Sequence, residues 1–266
     1  MKILIMGGCG FVGSNLALHF KEMDCDVTCM DNLVRVGSEH NMAELVSKGI
    51  KIRRGDIRCK EDFPTEKFDF LLECSAQPSA IDGYDNPIFD FTSNTVGVMN
   101  CLEYCRRTEC AMIFWSTNKV YCGDKINKIP RSKWDSRYDW ADGHLGGHPG
   151  ISETFPIDGG DHSIYGMTKA MSDLAVQEYY GAFGVKTVVN RFSCLAGPRQ
   201  WGKSAQGWVA WWAIAAYFGL PIKYIGWNGK QVRDVLFADD ICLLVEREME
   251  MIDSIAGQVF NVGGGK

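Results

Sequence analysis

Short apolar runs alternate with segments of helical spacing through the first two-thirds of the chain. "KILIM" (2–6) ends in glycines, and "FVGSNLALHFKEM" (11–23) follows with its apolar residues three and four apart. "DVTCMDN" (26–32), "IKIRRGD" (50–56) and "FDFLLECSA" (68–76) read as further strands. A long helix is expected over 87–107, a strand over "AMIFWS" (111–116), a helix over 163–184 stopped by Gly184, and a strand over "VKTVVNR" (185–191). This strand–helix alternation predicts an α/β fold with a Rossmann-type, doubly wound parallel sheet. Residues 131–161 interrupt it with a stretch rich in Gly, Trp, His and Asp, long enough to be a lid or binding loop. Beyond residue 191 the pattern loosens, so the expected division is a dinucleotide-binding domain over 1–191 and a substrate lobe over 192–266, interleaved with the core.

Bulk properties narrow the function classes. A chain of 266 residues with net charge -5 has no general attraction for nucleic acid or an anionic membrane. The most apolar helix-like stretch, "WVAWWAIAAYFGL" (208–220), is too short to span a bilayer and reads as a buried helix. "MKILIMGG" lacks the apolar core and cleavage site of a signal peptide, which leads to the expectation of a cytoplasmic protein. The 11 cysteines then belong to a reducing compartment, as small core-filling residues, and none is paired as CxxC. His144 and His148 in "HLGGH" would need a helix to share a metal; glycines between them favour a loop, and no metal is expected.

"GGCGFVG" places Gly7, Gly10 and Gly13 between a strand and a helix, the arrangement in which a backbone turn and a helix N-terminus receive a pyrophosphate. Asp31 ends the next strand, where a carboxylate accepts from a ribose 2′-hydroxyl and repels a 2′-phosphate, so the expected cofactor is NAD. Arg35 stands close enough to soften that choice, and Asp56 in "RGDI" is placed to reach an adenine amino group. "YGMTK" sets Tyr165 and Lys169 on one helix face. A free phenol, with a pKa of about 10, is a poor base near neutrality, and a neighbouring ammonium favours its ionised form.

Together with "DN", "GDIR", "AQPS", the helix carrying Asn94, "STNKVY", "GPRQ", "RDVLFADD" and "FNVGGG", these stretches resemble the extended short-chain dehydrogenase/reductases, specifically the nucleotide-sugar epimerases and dehydratases. The resemblance runs from Met1 to Lys266. It implies a catalytic triad of Thr117, Tyr165 and Lys169, and adds Phe11, Val12, Asn32, Ile57, Ser75, Gln77 and Asn94 to the cofactor site. It also implies a small C-terminal substrate lobe that continues past "FNVGGG", so the lobe carried here is expected to be incomplete. Dehydratases of this family place Asp-Glu after the threonine; here Asn118 and Lys119 stand there, and neither can perform the elimination. "STNKVY", "ISETFPIDG", "RQWGKSAQGWVAWW" and "GKQVRDVLFADD" are similar to the CDP-paratose 2-epimerases.

That likeness implies oxidation at C2 of a CDP-dideoxyhexose, rotation of the flat ketone and return of hydride to its other face. Tyr165 would exchange the hydroxyl proton, Lys169 would hold the nicotinamide ribose, and Thr117 would bond the reacting oxygen. The implied substrate contacts are Gln77, Thr117, Asn118, Lys119, Gln200, Gln206 and Trp208, with Arg233 as pyrophosphate clamp. The family also suggests a homo-oligomer, a dimer or tetramer, built on the helices at 87–107 and 163–184. An epimerase for another nucleotide sugar or position, and a non-catalytic NAD-binding relative, stand as alternatives. Departures from the pattern are Glu73 where a histidine is common, Trp115 for a small residue, Cys122 for a glycine, and Trp227 in a glycine-rich turn.

Overall fold

The computed structural model describes residues 1–141, 150–204 and 206–265. Seven parallel strands form the central sheet: β1 (Lys2–Met6), β2 (Asp26–Asp31), β3 (Lys51–Arg54), β4 (Phe70–Glu73), β5 (Ala111–Thr117), β8 (Thr187–Phe192) and β11 (Val259–Val262). Their order across the sheet is β11-β8-β5-β4-β1-β2-β3. The chain winds outward one way from β1 and then the other way from β4, which opens a crevice at the carboxyl ends of these two strands.

The inner strands are buried on both sides, which is why β1, β4 and β5 read as apolar runs, while the edge strand β3 is polar and largely exposed. Ile3, Ile5, Leu72 and Ile113 face one layer with Leu16, Phe20 and Val245. Leu4, Met6, Leu71, Met112 and Phe114 face the other with Val98, Leu102 and Val176. The first layer is covered by α1 (Phe11–Glu22), α2 (Ser38–Ser47) and α9 (Ala238–Glu250), with the short α10 (Ile252–Ile255) after it. The second is covered by α5 (Gly97–Thr108) and α7 (Ile164–Phe183).

Three features of the fold refine the sequence expectations. The helix expected over 87–107 is interrupted: α4 (Pro87–Phe91) passes through a π turn at Thr92–Val96 before α5 begins, and the short α3 (Asp82–Asp85) precedes it. Residues beyond 191 divide: β11 joins the sheet beside β8 and α9 packs on α1, while β9 (Cys194–Ala196) and β10 (Val235–Phe237) form a separate parallel pair. The third concerns α8 (Trp208–Phe218), expected to be buried. Only Ala215 is buried in it, and Tyr217 and Phe218 are 84% and 67% exposed. Apolar residues circle this helix without a polar face, so periodicity could not show which side meets the protein. The 131–161 stretch follows α6 (Gly123–Lys128) and opens with a hairpin, β6 (Arg131–Lys133) paired antiparallel with β7 (Tyr138–Trp140).

Candidate active site

The turn after β1 is shaped by contacts that leave no room for side chains. A Cβ on Gly7 would stand 2.7 Å from the Ser75 Cα, and one on Gly13 would stand 2.4 Å from the Gly7 carbonyl oxygen. The α1 N-terminus is therefore pressed against the strand it leaves, and Gly10 caps it with no side chain over the first-turn N–H groups. Asp31, at the end of β2, accepts the N–H of Cys9 (2.9 Å) and of Leu33 (2.8 Å). Burial raises its pKa and these backbone bonds oppose the rise. Glycine cradle, free helix terminus and neighbouring buried carboxylate fit a dinucleotide.

A cleft of about 570 Å³ opens over this turn and runs across β4 and β5 to the C-terminal segments. Gly10, Phe11, Val12, Arg35 and Ser75 line one end; Thr117, Asn118, Lys119, Tyr165 and Lys169 line the middle; Gln200, Gln206, Trp208 and Arg233 line the other side. Thr117 is the last residue of β5 and its Oγ1 accepts the Lys119 N–H at 3.3 Å, starting a short 3-10 turn. Ser163 caps α7 by accepting the Gly166 N–H at 3.0 Å. A Cβ on Gly166 would lie 2.6 Å from the Lys119 carbonyl oxygen, so glycine there lets α7 abut the turn and brings Tyr165 to Thr117.

Burial pushes the Tyr165 phenol up to about 12; a Thr117 hydrogen bond opposes this, while Asp90 and Glu73 reinforce it. Lys169 is 1% exposed, with its Nζ 4.2 Å from the Phe114 ring centroid. Its pKa is lowered by burial, with Glu73 and Asp173 pulling upward. Lys119 is likewise lowered, by burial and by the nearby Arg233. The cleft's mouth is thus strongly basic, and Asp234 is the only carboxylate among the described residues lining it.

A strap of residues 199–204, with Gln206 beyond it, lines this cleft, and only Gln200 and Gln206 of it were expected. Trp201 packs over Gly37, stacks on His40 at 4.8 Å and donates its Nε1–H to Asn41 Oδ1 at 3.1 Å. Asn41 in turn donates to the carbonyls of Cys9 (3.0 Å) and Arg199 (3.2 Å). Arg199 binds Glu44 through Nε (2.9 Å) and Nη2 (2.6 Å). Arg35 donates to Gln206 at 3.0 Å and Lys203 pairs with Asp82 at 2.7 Å. The stretch "RQWGKSAQGWVAWW" marked Gln200 and Gln206; the signal for the rest was Trp201, an aromatic among polar residues.

Several expected ligands stand away from the cleft lining. Asp56 is engaged by Arg58 (2.9 and 2.6 Å) and by Asn32 Nδ2 (2.9 Å); Arg58 holds its carboxyl down to about 2. Ile57 is buried beneath Gly97. Gln77 turns inward, donating to Asp90 Oδ1 (2.6 Å) and the Ser79 carbonyl (2.9 Å). Asn94, on the π turn, accepts the Gln77 N–H at 2.9 Å and donates to Thr168 Oγ1 at 3.1 Å, so it ties the loop after β4 to α7. Gln77 and Asn94 shape the site from behind. His144 and His148 lie outside the described residues.

The departures noted in the sequence find packing reasons. Cys122 is fully buried, with its Sγ against Gly160, where the long insertion returns to the core. Trp115 stacks on Phe192 at 5.6 Å. Trp227 receives Arg131 at 4.2 Å and meets Tyr138 edge-on at 5.7 Å, docking its turn on the β6–β7 hairpin. No helix among the described residues is long and apolar enough to cross a membrane.

A CDP-paratose 2-epimerase from Salmonella typhi is 38% identical over 275 residues, spanning 99% of this chain and 79% of its own. Pal from Bacillus thuringiensis, known from an X-ray structure, superposes with a TM-score of 0.81 at 27% identity, over 99% of this chain and 78% of that one. The UDP-glucose 4-epimerase of Thermus thermophilus, solved in complex with NAD, superposes at 0.76 with 26% identity, over 100% of this chain and 78% of that one. The epimerase family model matches residues 3–263, nearly the whole of a chain whose glycine turn and Thr–Tyr–Lys cleft have just been described, and the chain belongs to the NAD dependent epimerase/dehydratase family.

Proposed function

We propose that this protein is an NAD-dependent nucleotide-sugar epimerase that inverts C2 of CDP-paratose to give CDP-tyvelose. The observation that carries the reading is the convergence of Thr117, Tyr165 and Lys169 in a cleft that offers no acid beside the threonine. Asn118 and Lys119 occupy the two following positions, and the lining carboxylate Asp234 accepts the Gly264 N–H at 2.8 Å. Elimination of water needs a carboxyl group next to the reacting carbon; epimerisation needs only a proton carrier and a hydride carrier. The 38% identity with the Salmonella typhi CDP-paratose 2-epimerase supports the substrate.

Gly7, Gly10, Phe11, Val12, Gly13 and Asp31 would hold NAD, which supplies a reversible hydride acceptor. Tyr165 takes the C2 hydroxyl proton and gives it back, and its phenol must fall well below about 12 to do so. Lys169 supplies positive charge beside it, and Thr117 orients the sugar oxygen. Arg233 and Lys119 receive the pyrophosphate, which anchors the nucleotide while the sugar turns. The strap of residues 199–204, with Gln206, keeps the cofactor in place, as a redox-neutral reaction requires. Exposed Met167, Met171 and Leu174 give α7 an apolar stripe suited to pairing with a second copy.

The test is incubation with CDP-paratose followed by nuclear magnetic resonance, together with identification of the nucleotide released on denaturation. Conversion of the equatorial C2 hydroxyl to axial, with NAD(H) released and no net reduction, is expected. Loss of water from the sugar, or a requirement for added NADPH, overturns the proposal.

A further inference from the structure

Glu73 closes β4 one residue before the cleft-lining Cys74, in register between Met6 of β1 and Phe114 of β5. Alternation along the strand puts it on the face of Leu71, and Leu71, Met6 and Phe114 all belong to the layer beneath α5 and α7. A carboxylate therefore stands in an otherwise apolar row, with no exposure. Its Oε1 accepts the Ser75 N–H at 3.0 Å and the Ser75 hydroxyl; its Oε2 has no partner among the described residues.

On the same face Lys169 reaches down from α7 and rests its ammonium on the Phe114 ring. It forms no hydrogen bond or ion pair with any described residue, and it is almost wholly buried. Two opposite charges, each incompletely satisfied, thus meet at Phe114, Glu73 as its register partner on β4 and Lys169 over its ring. A buried ammonium loses its proton readily unless a charge of opposite sign lies nearby. A carboxylate in direct contact would supply that charge but would occupy the N–H bonds that Lys169 needs elsewhere.

We propose that Glu73 is a positioning residue, a fixed counter-ion that keeps Lys169 an ammonium ion while leaving its N–H groups free for Tyr165 and the cofactor. Ser75 holds the carboxylate in place through Oε1. The task given to Lys169 rests on the epimerase reading above; the pairing of the two charges does not. The other groups facing the pair are Tyr165 and Asp173 from α7, Asp90 from α4, Cys101 from α5 and Cys74 next in the chain. Burial lowers Lys169 and Glu73 is the largest influence raising it; burial likewise raises Glu73, with Lys169 and then the Ser75 bonds opposing the rise; Tyr165 is raised by burial, Asp90 and Glu73. Removing the Glu73 charge therefore moves both groups the same way, downward.

The experiment compares wild type, Glu73→Gln and Glu73→Asp, each as purified with its cofactor. One measurement is the pH midpoint at which a small amine-selective acylating reagent modifies Lys169, read by mass spectrometry. The other is the pH profile of kcat for epimerisation. In Glu73→Gln the Lys169 midpoint is expected about one pH unit lower, and both limbs of the kcat bell shift down together by about the same amount. Glu73→Asp keeps the wild-type midpoint within a few tenths of a unit. If the amide does not pack, Glu73→Met, apolar and of similar volume, must give the same displacement. A Lys169 midpoint that stays in place or rises when the charge is removed overturns the proposal, as does a kcat that falls with its limbs unmoved. A wild type that fails to turn over CDP-paratose refutes the substrate assignment instead, and the labelling midpoint then judges Glu73 alone.

Discussion

Arg191 grips Asp173 through two hydrogen bonds, Nε to Oδ2 at 2.9 Å and Nη2 to Oδ1 at 2.8 Å, with the two side chains 4% and 0% exposed. Asp173 Oδ2 also accepts the Ser116 hydroxyl at 2.5 Å, and Arg191 Nη1 donates to the Tyr121 hydroxyl at 3.0 Å. The pair thus ties the end of β5, which carries Thr117, to α7, which carries Tyr165 and Lys169. Asp173→Ala strands the guanidinium among buried groups and is expected to lower stability by about 3–5 kcal/mol. Urea unfolding of Asp173→Ala, Arg191→Met and the double variant checks this. The double variant should recover most of the loss, because its two apolar replacements leave no buried charge alone.

Glu248 on α9 makes a second buried contact, accepting Asn190 Nδ2 at 2.8 Å, while its Oε1 and the Asn190 Oδ1 have no partner among the described residues. Burial raises its pKa from 4.5 to about 7, so the fold favours the protonated acid. The contribution is complete below the unfolded value of 4.5 and drains away as pH rises to about 7, for a total of roughly 3 kcal/mol. Glu248→Gln supplies a neutral donor at every pH. It should match wild type near pH 4 and exceed it near pH 8, measured as unfolding free energy in denaturant. Equal pH slopes in the two proteins would refute this.

Gly160 lies against Cys122, and a Cβ built on it would come 2.0 Å from the Cys122 Sγ but 3.7 Å from its Cβ. The segment around it is fastened to the α6 entrance by Cys122 N–H to the Pro156 carbonyl (3.2 Å) and Gly123 N–H to the Asp161 carbonyl (3.3 Å). Gly160→Ala should therefore cost about 1–3 kcal/mol by overpacking. Adding Cys122→Ala removes the sulfur and should restore most of it, a coupling that thermal unfolding of the four proteins in the cycle measures directly.

These contacts also show why some features were legible in the chain and others were not. β1 and β5 stand out because parallel strands buried on both faces are apolar at every position, and Ile3 to Met6 and Met112 to Phe114 are all fully buried. The glycine turn is legible because its geometry depends on local spacing. Thr117, Tyr165 and Lys169 are legible only as a set, since each type is common alone. Gln77 and Asn94 sit on family motifs, yet what they touch is decided by a π turn that no local pattern announces. The strap was hidden because Trp201 and its partners Gly37, His40 and Asn41 are separated by some 160 residues of chain. The insertion's meaning for Cys122 was hidden for the same reason.

Trp201 supplies the last expectation. Its indole covers Gly37, stacks on His40 and holds Asn41, which in turn donates to the Cys9 carbonyl in the glycine turn. The strap is therefore latched to the backbone that would carry the pyrophosphate, and its other end is held by Lys203 on Asp82 and Gln206 on Arg35. None of these groups touches the sugar's reacting carbon in the proposed scheme, so the latch governs cofactor escape and not the chemical step. Trp201→Ala should release NAD at least about tenfold faster, a change worth about 1.4 kcal/mol in the barrier to opening. Cofactor content after repeated gel filtration, and the rate of exchange with labelled NAD, measure it. Adding excess NAD should return the variant's initial epimerisation rate to near the wild-type value, since the triad is untouched. Retention equal to wild type would show that the strap does not hold the cofactor; loss of rate that NAD cannot restore would place Trp201 in the chemistry.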